Sequence, residues 1–272
     1  MEVSVVGLAL GAIVGLILAL AGAGGGILAV PLLVFGLHLS IAQAAPVGLI
    51  AVGASSALGA VLGLRDGLVR YRAAAMIGLV GMALAPLGVW LARRIPNAPL
   101  TIAFSLLLAW VALRMFKQSR RKQSARGPTA AQWPCVLNPS EGRLKWTLPC
   151  AWALAGTGAV SGLLSGLLGV GGGFVIVPSL THFTNLATRS ILATSLAVIA
   201  LVSVGGVTAA ALQGSVAWDI ALPFAFGAVL ALLAGRIVAA RLAGARLQQA
   251  FALTSGVVSL MLLARGMGWI AA

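Results

Sequence analysis

Acidic side chains are nearly missing: four Asp and Glu in 272 residues, against 18 Lys and Arg and two His. Only 8% of the chain is charged, whereas a soluble domain needs roughly a quarter to keep its surface solvated. Two cysteines, Cys135 and Cys150, cannot build the disulfide framework of a small secreted scaffold, and both are expected as free thiols in a reducing compartment. With so few carboxylates and histidines there is no H-x-x-E or C-x-x-C pattern, no paired-acid site and no catalytic nucleophile with its base. No catalytic residue, metal or cofactor is therefore expected. What fills the chain is apolar: 61% hydrophobic residues and a mean hydropathy of +1.09, the composition of a membrane protein. The net charge of +14 would indicate nucleic acid in a soluble protein. Here most cations lie between apolar runs, where they act as topology signals, so a lipid bilayer and no nucleic acid is the expected environment.

The uncharged runs define an all-α polytopic architecture, because a spanning segment must satisfy its backbone internally. Candidates cover residues 3–21, 27–37, 41–64, 73–92, 98–113, 147–168, 174–184, 190–213, 220–235 and 247–264. The second and seventh are only about 11 residues, roughly 17 Å of helix, and read as half-helices. The N-terminus carries Glu2 and no basic region, so the first helix is expected to stay in the mature protein. The basic stretch from Arg114 to Lys145 separates two halves. The expected division is an N-terminal transmembrane repeat (1–117), a basic cytoplasmic linker (118–146) and a C-terminal transmembrane repeat (147–272). The linker charge serves either topology alone or contact with anionic lipid.

A constant shift of 147 residues aligns the halves without a gap from Gly11 to Arg94. Gly22-Ala23-Gly24-Gly25-Gly26 falls on Gly169-Val170-Gly171-Gly172-Gly173, Pro31 on Pro178, Ser56 on Ser203 and Gly67 on Gly214. Each repeat then holds about four to five helical segments, with a glycine-broken half-helix in each. The cations choose the relation between them. The loop with Arg65, Arg70 and Arg72 corresponds to a cation-free stretch from Gln213 to Asp219, and an inverted arrangement puts 15 of the 18 cations inside. Two pseudo-symmetric inverted repeats are thus expected, with the N-terminus outside.

An interrupted helix in a membrane exposes N–H groups at the start of its second piece, and an anion satisfies them well. The candidate substrate-binding residues are accordingly Gly24, Gly25, Gly26 and Ile27 in the first half and Gly171, Gly172, Gly173 and Phe174 in the second. Glycine there permits a sharp turn and close ligand approach, while Pro31 and Pro178 suit a helix start. The plainer alternative is that the glycines only let helices cross closely. No Lys-Ser/Thr follows either run, which rejects a nucleotide P-loop. Hydroxyls in the apolar core complete the candidates: Ser56, Thr194, Ser195 and Ser203. Thr194 and Ser203 lie about 180° apart on a helix, making Ser195 the better partner for Ser203. For any one of them the alternative is a bond to its own helix. His38 and His182 lie near the half-helix ends, as end groups or proton carriers.

The doubled G-x-GGG-x4-P element, Ala193-Thr194-Ser195 and the Gly67 and Gly214 turns resemble the TauE/SafE family of sulfite exporters over nearly the whole chain. The resemblance implies a multi-pass protein of the bacterial inner membrane that exports a small sulfur-containing anion, sulfite or a short organosulfonate. Pro46-Val47-Gly48 stands where the second half has Ala193-Thr194-Ser195, which shifts the expected polar contacts toward the second half. No acid lies mid-helix, so no carboxylate relay is expected. Alternating access is the expected mechanism. The alternatives are an anion channel or an importer of thiosulfate or sulfate, and a homodimer is compatible with the sequence.

Overall fold

The computed structural model describes residues 2–120, 135, 137–138, 143–144, 147–242 and 245–267. Most of the basic linker, including Glu141, lies outside them. The first half comprises α1 (Glu2–Ala21), a 3-10 segment (Gly22–Leu28), α2 (Ala29–Gly36), α3 (Ile41–Arg65), α4 (Tyr71–Arg94) and α5 (Asn97–Arg120). After it, β1 (Leu137–Asn138) pairs antiparallel with β2 (Arg143–Leu144). The second half comprises α6 (Leu148–Leu168), α7 (Gly173–Phe183), α8 (Thr188–Leu212), α9 (Trp218–Leu242) and α10 (Ala245–Gly266). Six of the helices, α3, α4, α5, α6, α8 and α9, are long and apolar enough to cross a membrane over the described residues. Large apolar side chains such as Val5, Leu64, Leu113, Trp152, Leu222 and Leu260 face outward, as a lipid-facing surface requires. Arg94 stacks on Trp90 at 4.8 Å and Arg114 on Trp110 at 5.2 Å, the residue types that anchor helices at membrane interfaces.

Helix ends follow local chemistry. Ser40 and Gln43 form a reciprocal capping box that starts α3. Thr147 accepts from the Cys150 N–H at the start of α6, where Pro149 leaves no orphan donor. Gly67 and Gly214 close the two equivalent turns at φ of +66° and +63°, conformations that cost other residues steric energy.

Glycine faces decide which helices pair. Gly7, Gly11 and Gly15 of α1 lie against Ile220, Phe224 and Ala228 of α9. On the other side, Gly158, Gly162 and Gly166 of α6 lie against Ile77, Gly81 and Ala85 of α4. Residue numbers rise together in both seams, so each pair runs parallel. Adding 147 to the α1 residues Gly11 and Gly15 gives Gly158 and Gly162, and the same shift carries Ile77 and Gly81 to Phe224 and Ala228. The first helix of each half thus packs on the fourth helix of the other. A Cβ at Gly11, Gly15 or Gly162 would overlap a backbone carbonyl of the partner, so these seams exist only because the side chain is absent.

The centre is built from α3 and its equivalent α8. Gly53 meets Ser203, Gly59 meets Leu196 and Gly63 meets Ala193: as one number rises the other falls, so the equivalent helices run antiparallel. At one end, the Arg70 N–H donates to Thr194 Oγ1 at 3.0 Å and Ser190 Oγ to the Leu68 carbonyl at 2.5 Å. This end carries Arg65, Arg72 and Arg189. At the other, Arg93 donates to Gln213 Oε1 at 3.1 Å, the Ile41 N–H to Asn97 Oδ1 at 3.2 Å and Arg265 to the Val34 carbonyl at 3.3 Å. Helix α2 therefore ends beside the start of α3 at the Arg93 end, and α7 ends beside the start of α8 at the basic end.

The two cysteines are not free. Cys135 and Cys150 form a disulfide with their Cα atoms 5.0 Å apart, contrary to the thiols expected from a reducing compartment. The Cys135 N–H donates to the Phe183 carbonyl at 3.1 Å. This contact brings a linker residue to the end of α7, within reach of the start of α6.

Candidate functional site

The two glycine runs differ in form although they differ by little in sequence. Gly169, Gly171 and Gly172 all adopt positive φ, between +71° and +75°, and α7 starts afresh at Gly173. The first run instead continues from α1 as a 3-10 helix, and neither Gly25 nor Gly26 has positive φ. The half-helix expected from Ile27 begins at Ala29. Ala23 stands where the second run has Val170; alanine favours continued winding and a β-branched residue resists it. This difference decides where donors are open. In 3-10 winding the N–H groups of the first run bond to carbonyls three residues back. At α7 the Val175 and Ile176 N–H groups share the Gly172 carbonyl at 3.0 and 3.1 Å, while the Gly173 and Phe174 N–H groups are orphans of the helix start. The sequence expectation of equivalent donors from both loops is thereby corrected: Gly25 is required by packing, its Cβ position lying 2.8 Å from the Ile17 carbonyl and 2.9 Å from Leu18 Cα. Pro178 is the sixth residue of α7 rather than near its start, and it leaves the Phe174 carbonyl without its helical donor. The side chains of Ile27 and Phe174 are buried in the core, so only their backbones can serve a ligand.

The loops meet at the α3–α8 seam. A Cβ at Gly26 would lie 3.2 Å from the Val170 carbonyl and 3.0 Å from Val52 Cγ1; one at Gly171 would lie 3.0 Å from Val52 Cγ1 and 2.8 Å from Ile199 Cγ2. Val52 and Ile199 are equivalents under the repeat shift. Each repeat helix lies opposite its own equivalent between Ala54 and Ser55 on α3 and between Leu201 and Val202 on α8. Ser55, Ser56 and Ser203 all fall within about 2 Å of this height along the helices.

The four candidate hydroxyls separate clearly. Ser56 and Ser203 are buried, and neither Oγ has a hydrogen-bond partner in the protein. Ser195 donates to the Leu192 carbonyl at 2.8 Å, a bond to its own helix, so it is not the open partner expected for Ser203. Thr194 caps α4 through Arg70 and lies near the basic end. Sequence reasoning left three further orphan hydroxyls out of the site, Ser55, Ser165 and, on α10, Ser255, all buried and unpartnered. Ser55 is a core hydroxyl next to Ser56 in an Ala- and Gly-rich helix. Gln43, another polar residue of α3, belongs to its N-terminal cap, as the Ser-x-x-Gln spacing signals. His38 sits at φ of +51° just after α2, and His182 packs edge-on to Phe183 at 5.2 Å; neither reaches the seam. Among the described residues no three His, Cys, Asp or Glu side chains group as metal ligands.

The arrangement offers amide and hydroxyl donors to a small acceptor in an apolar interior, with no buried carboxylate among the described residues to oppose it. The sequence profile of the sulfite exporters TauE/SafE matches residues 7–262. The chain belongs to this family. A probable membrane transporter protein of Xylella fastidiosa (strain 9a5c) is 30% identical over 241 residues, covering 87% of this chain and 85% of the relative. One from Methanocaldococcus jannaschii is 28% identical over 202 residues, covering 72% and 68%. No solved structure matches. This TauE/SafE protein is thus a multi-pass membrane transporter and not an enzyme.

Proposed function

We propose that this TauE/SafE transporter exports a small sulfur-containing anion, sulfite or a short organosulfonate, across the bacterial inner membrane. The observation that carries the reading is the meeting of both glycine loops at a seam whose buried Ser56 and Ser203 hydroxyls have no partner. Burying such groups in lipid-depth protein is costly unless something accepts their hydrogen bonds. An oxyanion does so, and the Gly173 and Phe174 N–H groups at the positive end of α7 add to its field. In a dry interior these partial charges act more strongly than in water, so no Lys or Arg is needed beside the ligand.

The antiparallel course of α3 and α8 supports two inverted repeats, with the pseudo-two-fold axis in the membrane plane at the height of Ser55. Helices α2 and α7 then enter from opposite faces, the geometry alternating access requires. Asp66 and Asp219 lie at helix ends, away from this height. An interior-negative potential drives each exported negative charge by about 2.3 kcal/mol per 100 mV, so export needs no carboxylate relay. The test is flux in proteoliposomes holding the purified chain. Sulfite uptake that saturates and shows counterflow supports a carrier; non-saturating conductance makes the protein a channel, and transport of sulfate or thiosulfate with sulfite excluded overturns the substrate assignment.

A further inference from the structure

Helix α6 carries a line of hydroxyls that its counterpart lacks. Thr157, Ser161 and Ser165 recur every four residues and are 5%, 0% and 0% exposed. Their equivalents on α1 are Leu10, Val14 and Leu18. Two of the hydroxyls are spent on their own helix: Thr157 Oγ1 donates to the Ala153 carbonyl at 2.8 Å and Ser161 Oγ to the Gly158 carbonyl at 3.1 Å. Ser165 Oγ has no partner. It occupies the turn of α6 that the second glycine loop embraces. The Gly169 N–H bonds to the Ser165 carbonyl at 2.8 Å, and the loop folds back so that a Cβ at Gly172 would lie 2.9 Å from Ser161 Cβ. Ser165 is thus held beside the residues that open the α7 amides.

Resting on the anion-site reading above, we infer that Ser165 is a substrate-contacting hydroxyl supplied by the second half alone, and that it sets preference for oxyanions. A hydroxyl on α6, amides at the start of α7 and the seam hydroxyl of Ser203 would supply donors from three elements. Such spread donors match a ligand that presents several oxygens, as sulfite and sulfonates do. A halide presents one centre and gains less from them. Leu18 at the equivalent place makes the donor set one-sided, so the ligand is drawn from the seam hydroxyls toward α6 and α7.

The test uses the purified full-length chain and sodium sulfite, with sodium chloride as competitor. Ser165→Ala should weaken sulfite binding about tenfold, the usual effect of losing a hydrogen bond to a charged ligand, while chloride competition changes little. The thermal midpoint should hold or rise, because the substitution removes an unpartnered buried hydroxyl. Ser165→Thr, which keeps the hydroxyl, should retain more affinity than Ser165→Ala. Wild-type sulfite affinity in folded Ser165→Ala, alongside weakened binding in Ser203→Ala, overturns the Ser165 assignment alone. Absence of sulfite binding in the wild-type protein overturns the anion-site reading with it.

Discussion

Ser195 and Ser203 share one helix and one side-chain chemistry but differ in what their oxygens can still do. The first is committed to Leu192, the second to nothing. Ser203→Ala and Ser56→Ala should therefore each weaken sulfite binding about tenfold, whereas Ser195→Ala should stay within roughly twofold because it breaks only a bond to its own helix. Equilibrium binding to the purified variants at matched abundance decides this, and equal losses at all three positions would refute it. Gly171 offers a separate check. At φ of +75° and 2.8 Å from Ile199 Cγ2, an alanine there meets both backbone strain and crowding, so a loss of at least about 1 kcal/mol in stability is expected, seen as a lowered thermal midpoint. The sequence was enough to name Ser56 and Ser203 as candidates, because a hydroxyl in an Ala, Leu and Val helix stands out. It could not separate them from Ser195, since a back-bond depends on rotamer and not on composition. Nor did it separate the two glycine runs, whose fate turns on Ala23 against Val170 and on what the neighbouring helix allows.

The interlocked seams make a sharper demand on glycine than the loops do. Gly15→Leu and Gly162→Leu, equivalents in the α1–α9 and α4–α6 seams, should both abolish folded, monodisperse protein, because the added side chain meets backbone rather than a movable side chain. Gly156→Leu and Gly256→Leu, with nothing within 4 Å of the Cβ position, should be tolerated; size-exclusion profiles after detergent extraction compare all four. The Cys135–Cys150 bond and the Cys135 contact with Phe183 tie the end of α7 to the start of α6. Replacing both cysteines with serine should raise hydrogen exchange in the last turn of α7 and leave α4 unchanged. The ten helical segments and the repeat were readable from apolar runs and the constant shift. Which helix packs on which was not, because the glycine faces of α1 and α6 are alike and either could have matched α4 or α9. The disulfide was hidden for another reason: two cysteines beside a basic, expected cytoplasmic linker read as thiols, and their spacing of 15 residues does not show that Cys135 meets the end of α7.

Seen as one body, the protein has one more basic end and one less basic end. Arg65, Arg70, Arg72 and Arg189 surround the α3–α4 turn and the start of α8, while Arg93, Arg94 and Arg265 lie opposite. By the bias of cations toward the cytoplasm, the basic end is expected inside. In a cysteine-free background, Tyr71→Cys and Leu212→Cys, 55% and 84% exposed in the parent residues, should label from opposite faces, Tyr71→Cys from the cytoplasm. The Cys135–Cys150 disulfide lies at that same end. The crossed pairing of α1 with α9 and α4 with α6 also has a bearing on synthesis. Gly11 leaves the ribosome 213 residues before its partner Phe224, a delay of roughly 10 to 40 s at ordinary translation rates. Throughout that interval the glycine face of α1 has only lipid or an insertion factor against it. A chain cut short before Trp218 would keep α1 permanently widowed. The first helix made is thus among the last to be locked, and assembly of the whole transporter waits on its ninth helix.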